Sequence, residues 1–297
     1  MKKLLLLALL TGPSAMAQTD LLAQFNKEPA RRPVTATFKS TRLLNGHSVE
    51  TIKAHHLDFR ISHRFDRINK GISELYGLDF ATIRLGLEYG ITDAVTLGIG
   101  RSSIEKNIDA YLKAKLVRQT LGTHAFPVTV TALGTLALDP RSPQQGGEFK
   151  VYSERLTGTG HVLIARKFNE SVSLQVTPTA IFRPSPTAPS QTEVVPAVGV
   201  GGRFKVSKRV SINAEYYWVD QNQLKSNQPS PTFDPIALGI DLETGGHVFQ
   251  LIFTNSFGMI EKQFLTQTGG SLGGQFDKGD IHFGFSISRT FSFNNHK

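Results

Sequence analysis

The chain has 297 residues, 39% of them apolar, no cysteine and a formal net charge of +9. The missing cysteines exclude a disulfide scaffold and any thiolate metal site. No run of about 18–20 apolar residues exists, which excludes a helical membrane protein. A basic balance points to nucleic acid in a cytosolic chain, but the N-terminus reads as an export signal. Lys2 and Lys3 precede an apolar run over residues 4–10, then Thr11, Gly12 and Pro13, and Ala15-Met16-Ala17 offers small residues for cleavage. This pattern predicts a signal peptide over 1–17, removed before Gln18. No cysteine follows the run, so lipoprotein processing is excluded. Removing two lysines from +9 leaves +7 on the mature chain. In an exported protein that charge faces a lumen or an anionic lipid surface, with no nucleic acid expected as a partner.

Residues 18–53 have no clear period and form a periplasmic lead segment, with a tuck into a barrel mouth as one option. From His56 onward the pattern changes to short runs that alternate apolar and polar residues with period two. In the run 56–65, Leu57, Phe59, Ile61 and Phe65 fall on one face, and His56, Asp58, Arg60, Ser62 and Arg64 on the other. Strict alternation is the strand signal, because successive side chains point to opposite faces. Similar runs follow around 83–89, 95–100, 108–116, 128–138, 157–168, 172–182, 194–205, 209–218, 234–242, 247–255 and 280–293. That predicts an all-β fold over residues 54–297: a single antiparallel transmembrane β-barrel of about twelve strands. Most runs are about 9–11 residues, the length a tilted strand needs to cross hydrocarbon.

The connections test this reading independently. The gaps 91–94, 118–126, 169–171, 206–208 and 243–246 average under five residues, and 66–79, 102–106, 139–156, 183–193, 219–233 and 256–279 over fourteen. Short periplasmic turns and longer outer loops are the expected asymmetry of an outer-membrane barrel. The gap 102–106 is short for a loop and 118–126 long for a turn. Tyr89, Phe168, Phe182, Phe204, Tyr216, Trp218, Phe291 and Phe293 sit near strand ends on the apolar face, as an interfacial girdle requires. The last run, with Phe283, Phe285, Phe291 and Phe293, resembles the terminal strand that barrel assembly machinery recognises, followed here by four further residues.

The face opposite lipid is where function would sit. The register turns Arg60, Arg64, Arg84, Lys113, Lys115, Lys167, Arg203 and Lys205 inward, with Asp58, Glu88, Asp109, Glu215 and Asp241. Two readings stay open: a structural ion network across the interior, or a pore lining that favours anions. No cofactor or metal is expected. His56 with Asp58, and Asp280 with His282, share a face, but each pair supplies only two ligands. A Ser–His nucleophile is poorly placed as well. Ser62 and His63 are adjacent and point apart, and His282 and Ser286 lie about 13 Å apart along a strand. Gly199, Gly201 and Gly202 interleave with valines in a strand run and read as small residues in a crowded interior, not as a phosphate loop. Gly269, Gly270, Gly273 and Gly274 mark the longest outer loop as one that can fold inward.

Three stretches, residues 161–168 (HVLIARKF), 173–178 (SLQVTP) and 244–251 (TGGHVFQL), resemble a β-barrel family of the Bacteroidota outer membrane that carries only a domain-of-unknown-function label. The resemblance runs from about Phe38 to Phe293. It implies compartment and fold, and no functional residue. The expectation for function is passive passage of small, anionic solutes through a barrel set in outer-membrane lipid. The alternative is a closed structural or interaction barrel displaying its outer loops, and an outer-membrane lipase is the weakest reading. No enzyme activity is expected.

Overall fold

The computed structural model describes residues 31–145, 152–185, 191–225 and 231–293. The signal peptide expected over 1–17 lies outside them. Twelve strands build one sheet: β1 His56–Arg67, β2 Ala81–Gly90, β3 Val95–Ser102, β4 Ile108–Val117, β5 Thr129–Leu138, β6 Leu156–Lys167, β7 Val172–Pro184, β8 Thr192–Lys205, β9 Val210–Val219, β10 Ile236–Thr244, β11 His247–Thr254 and β12 His282–Ser292. Each pairs antiparallel with its neighbours in sequence, and β12 pairs with β1 to close the barrel, Ser292 opposite His56. Closure gives every strand two partners, which hydrocarbon demands because it offers no hydrogen bonds. Among the described residues no helix is long and apolar enough to cross a membrane.

Alternation sets the two faces. In β9, Ser211, Asn213, Glu215, Tyr217 and Val219 are buried inside, while Ile212, Tyr216 and Trp218 are exposed outside. The aromatics expected as a girdle are all outward and exposed, from Tyr89 to Phe293. The inner face is less polar than the period suggests. Leu133, Leu163, Ile181 and Val195 point inward and are fully covered.

What covers them is chain from both ends of the barrel. From the periplasmic end, residues 34–53 run up the inside. Arg42 pairs with His47, Leu43 N–H donates to Gly46 O at 2.8 Å and Ser48 N–H to Thr41 O at 2.9 Å. The result is a hairpin with Leu44 and Asn45 at its tip. From the outer end, the loop 255–281 folds inward and carries the short helix Glu261–Thr266.

The two irregular connections now have a cause. The long turn 118–128 holds the entering chain, since Arg32–Pro33 pairs with Thr120–Leu121 and Val34 N–H donates to Gln119 O at 2.8 Å. The short outer loop 103–107 holds the inward loop. Ile104 O accepts from Gln263 Nε2 at 3.2 Å, and Glu105 pairs with Lys262 at 2.8 Å.

Candidate functional site

The lumen and the two segments inside it form the candidate site. The hairpin's backbone groups cannot bond to a neighbouring strand there, so inward side chains of the wall bond to them. Lys113, fully buried on β4, donates from Nζ to Thr41 O at 2.9 Å and to Ser48 O and Glu50 O, each at 3.0 Å. Gln175 on β7 donates to His47 O at 2.8 Å and accepts from Val49 N–H at 2.9 Å. Gln250 on β11 donates to Leu43 O at 2.9 Å. Glu215 on β9 accepts at the tip, from Asn45 N–H at 2.6 Å and Gly46 N–H at 3.2 Å. Buried backbone groups left unmade are costly, so these contacts fix the hairpin's position.

Small residues make room for it. A side chain on Gly201 would overlap Leu43, one on Gly239 would overlap Leu44, and one on Gly46 would overlap the Tyr217 hydroxyl. Of the three glycines singled out in sequence, Gly199 and Gly201 do face this crowded interior. Gly202 faces outward, against Leu174.

Charge organises the centre. Arg60 Nη2 donates to Ser40 Oγ at 2.8 Å and to Thr41 Oγ1 at 3.1 Å, and its Nε stands 3.7 Å from Glu88. Thr41 Oγ1–H donates to Glu88 at 2.5 Å. Arg84 grips Asp109 through Nε, at 3.0 Å, and Nη2. Where the two inserted segments meet, Arg42 of the hairpin pairs with Glu261 of the loop at 2.9 Å, with His47 Nε2 3.5 Å from the same oxygen. Both partners of the Arg42–Glu261 pair are buried.

The inward set read from sequence therefore divides by height. Arg60, Arg64, Arg84, Glu88, Lys113, Arg203, Glu215 and Asp241 are buried in the interior. Asp241 accepts from Gln250 Nε2 and Arg203 donates to Ser211 Oγ, both at 2.9 Å. Lys115, Lys167 and Lys205 are half-buried at the periplasmic end. Lys115 pairs there with Glu50 at 3.4 Å and Lys167 with Glu170 at 3.0 Å. Sequence reasoning missed Arg42, Asn45 and Glu261, because neither inserted segment has a period. It also missed the apolar wall. Ile181 on β7 interrupts the inward row Ser173, Gln175, Thr177 and Thr179, as Leu133 interrupts Thr129, Thr131 and Thr135 on β5, and such interruptions are the visible signal.

Apolar packing dominates the outer half. Phe264 and Leu265 of the inward loop pack with Ile181, Val195, Ala197, Tyr217, Val219 and Leu224. Lower down, Phe38, Leu43 and Val49 meet Tyr111, Leu133, Leu163 and Ala165. At the outer rim Glu105 gathers Lys262 at 2.8 Å, Gln267 Nε2 at 3.2 Å and Arg141 at 3.4 Å. Burial opposes ionisation of Glu105, but Lys262, Asn107 and Arg141 together outweigh it and hold the carboxyl below the ordinary glutamate value.

A cavity of about 240 Å³ lies at the periplasmic mouth, bordered by Lys39, Glu50, Asp58, Arg60 and Thr290. Among the described residues no three His, Asp or Glu side chains are grouped to hold a metal. Ser62 and His63 point to opposite faces: Ser62 bonds Ser286 at 2.9 Å inside, and His63 stacks on Phe285 outside.

A family model described as the membrane bound beta barrel domain (DUF5777) matches residues 38–291. The chain belongs to that family. The match begins at Phe38, so the hairpin inside the lumen is part of the family's domain and not an appendage to it. No curated protein matches the chain. Among solved structures, the chain is similar to the NanC porin at 8% identity and a TM-score of 0.48, with 80% of this chain and 100% of that one covered. It is similar to the KdgM porin at 8% identity and 0.42, covering 80% and 99%. An outer membrane channel from Pseudomonas putida F1 follows at 13% identity and 0.45, covering 82% and 98%. Each of these is a likeness of barrel to barrel.

Proposed function

We propose that this is an outer-membrane barrel closed at rest by its own lead segment and longest outer loop, and that small solutes pass only when the lead segment withdraws. One observation carries the reading: chain entering from opposite mouths meets in mid-lumen at the buried Arg42–Glu261 pair. A steady open pore does not fit that arrangement. Withdrawal would bare Arg60, Arg64, Arg84, Lys113 and Arg203 beside Asp58, Glu88, Asp109, Glu215 and Asp241. With Lys115, Lys167 and Lys205 at the periplasmic end, eight basic groups then face five acids, an excess that favours small anions over small cations. The wider partners in this reading are outer-membrane lipid around the exposed apolar band and the assembly machinery that would read the aromatic last strand. A Bacteroidota host, a signal peptide over 1–17 and the absence of enzyme activity belong to the same reading.

The test is single-channel conductance in a planar bilayer. The whole mature chain is expected to be silent or to open rarely, and the chain lacking residues 18–50 to open in steps with anion preference. A truncated barrel that folds yet stays silent would replace this reading with a second one, a closed barrel that displays its outer loops to a partner. A specific feature favours that alternative: Ile72, Leu75, Tyr76 and Phe80 of the first outer loop are exposed.

A further inference from the structure

Between the hairpin tip and the inward loop lies a cavity of about 10 Å³, lined by Arg42, Arg60, Arg64, Arg84, Ser62 and Ser286 among others, with no carboxylate in its lining. Three of the four guanidiniums have a carboxylate within 4 Å: Arg42 has Glu261, Arg60 has Glu88 and Asp58, and Arg84 has Asp109. Arg64 is the exception. It is 2% exposed, and Nη2 donates to Asn45 Oδ1 at 2.7 Å, but Nε and Nη1 have no partner among protein atoms. On Arg42, Nε and Nη2 are likewise without one. Ser286 Oγ–H donates to Ser62 Oγ at 2.9 Å. The Ser62 proton is then free to donate elsewhere.

The wall is shaped around this arginine. A side chain on Gly284 would overlap Arg64 Nη1, and the pairing of β12 with β1 shifts register between His282 and Gly284, beside it. Bulges of this kind re-aim a side chain at a chosen point. A buried guanidinium with two donors unmade and no carboxylate within 4 Å is costly. Space for about one small particle suits a single-atom ion better than a carboxylate or phosphate.

We propose that this cavity is a site for one halide ion, with chloride the natural occupant, held by Arg64, Arg42 and the Ser62 hydroxyl. The ion supplies a negative charge in direct contact with Arg64, whose electrostatic partner Glu215 lies beyond salt-bridge distance. Since Asn45 and Arg42 come from the hairpin, the site exists only while the hairpin is in place, and halide binding stabilises the closed lumen. The proposal does not depend on whether the barrel conducts. Loss of the site with conductance intact, or the reverse, separates the two readings.

The experiment uses the full mature protein in detergent with bromide as probe. Anomalous diffraction from crystals grown in dilute bromide should place one bromide between Arg64 and Ser62. The thermal midpoint should rise with bromide or chloride along a one-site curve, and not with gluconate at equal ionic strength. Arg64→Gln should lower bromide affinity about tenfold or more, since hydrogen bonds to an ion are strong. Ser62→Ala, which keeps every charge, should lower it less, and Arg209→Gln, on an exposed turn, should leave it unchanged. Should Arg64→Gln fail to fold, the Ser62→Ala titration decides. An ordered water at the position, bromide seen only at molar concentration, or a stabilisation shared by gluconate would overturn the proposal.

Discussion

The two segments that fill the lumen enter from opposite ends and are held by polar contacts and apolar burial in different proportions. The hairpin from the periplasmic end is gripped by polar groups: Lys113 on three carbonyls, Gln175 and Gln250 on the backbone, and Glu215 on the tip amides. The loop from the outer end is held by burial, with Phe264 and Leu265 packed against Ile181, Val195 and Val219. Hydrogen bonds exchange with water at small net gain, whereas apolar area returned to water is lost outright. The hairpin also buries Phe38, Leu43 and Val49, so what sets it apart is the share of its anchorage that is polar and can be exchanged with water.

Three substitutions sharpen that contrast. Phe264→Ala empties a fully buried site and should cost about 3–5 kcal/mol, read as a lower denaturation midpoint with new protease cleavage in the loop 255–281 and none in the hairpin. Cleavage in both segments together would mean they move as one body, and the contrast fails. Lys113→Met strands three buried carbonyls and should cost about 3 kcal/mol. Here the expected cleavage is within 34–53, from the periplasmic side, with the outer loop still protected. The smallest effect belongs to the rim. Glu105→Gln should change stability by under about 1 kcal/mol, but it should raise hydrogen exchange over the helix Glu261–Thr266. The pH dependence follows in sign. Glu105 titrates lower in the fold than its ordinary value of 4.5. Its contribution is therefore complete above that value and disappears as pH falls through the folded one. Acidification should loosen the rim in the native chain and not in Glu105→Gln. Equal loosening in both would show that Glu105 is not the latch.

The barrel itself is legible in the sequence because a strand in lipid obeys one rule along its whole length. Runs such as 108–116 and 194–205 declare their two faces by alternation alone, and both are strands in the structure, Ile108–Val117 and Thr192–Lys205. The contents of the lumen obey no such rule. Residues 34–53 satisfy their backbone through scattered side chains on β3, β4, β7, β9 and β11 instead of a neighbouring strand, so nothing periodic marks them. Leu133 and Val195 read as ordinary strand apolars. Their inward direction makes sense only beside Phe38 and Phe264, distant in sequence and adjacent in space. The inward charges were readable one by one. Their partners on the hairpin, Thr41 for Glu88 and Asn45 for Arg64, were not.

The seam between β12 and β1 carries one more consequence. Residues 34–53 immediately precede β1, and the barrel shuts only when β12, the last strand made, reaches β1. The filling is therefore made before the strand that seals the container. If the barrel wraps around contents already positioned, a chain whose hairpin fails to seat should stall with its seam unjoined.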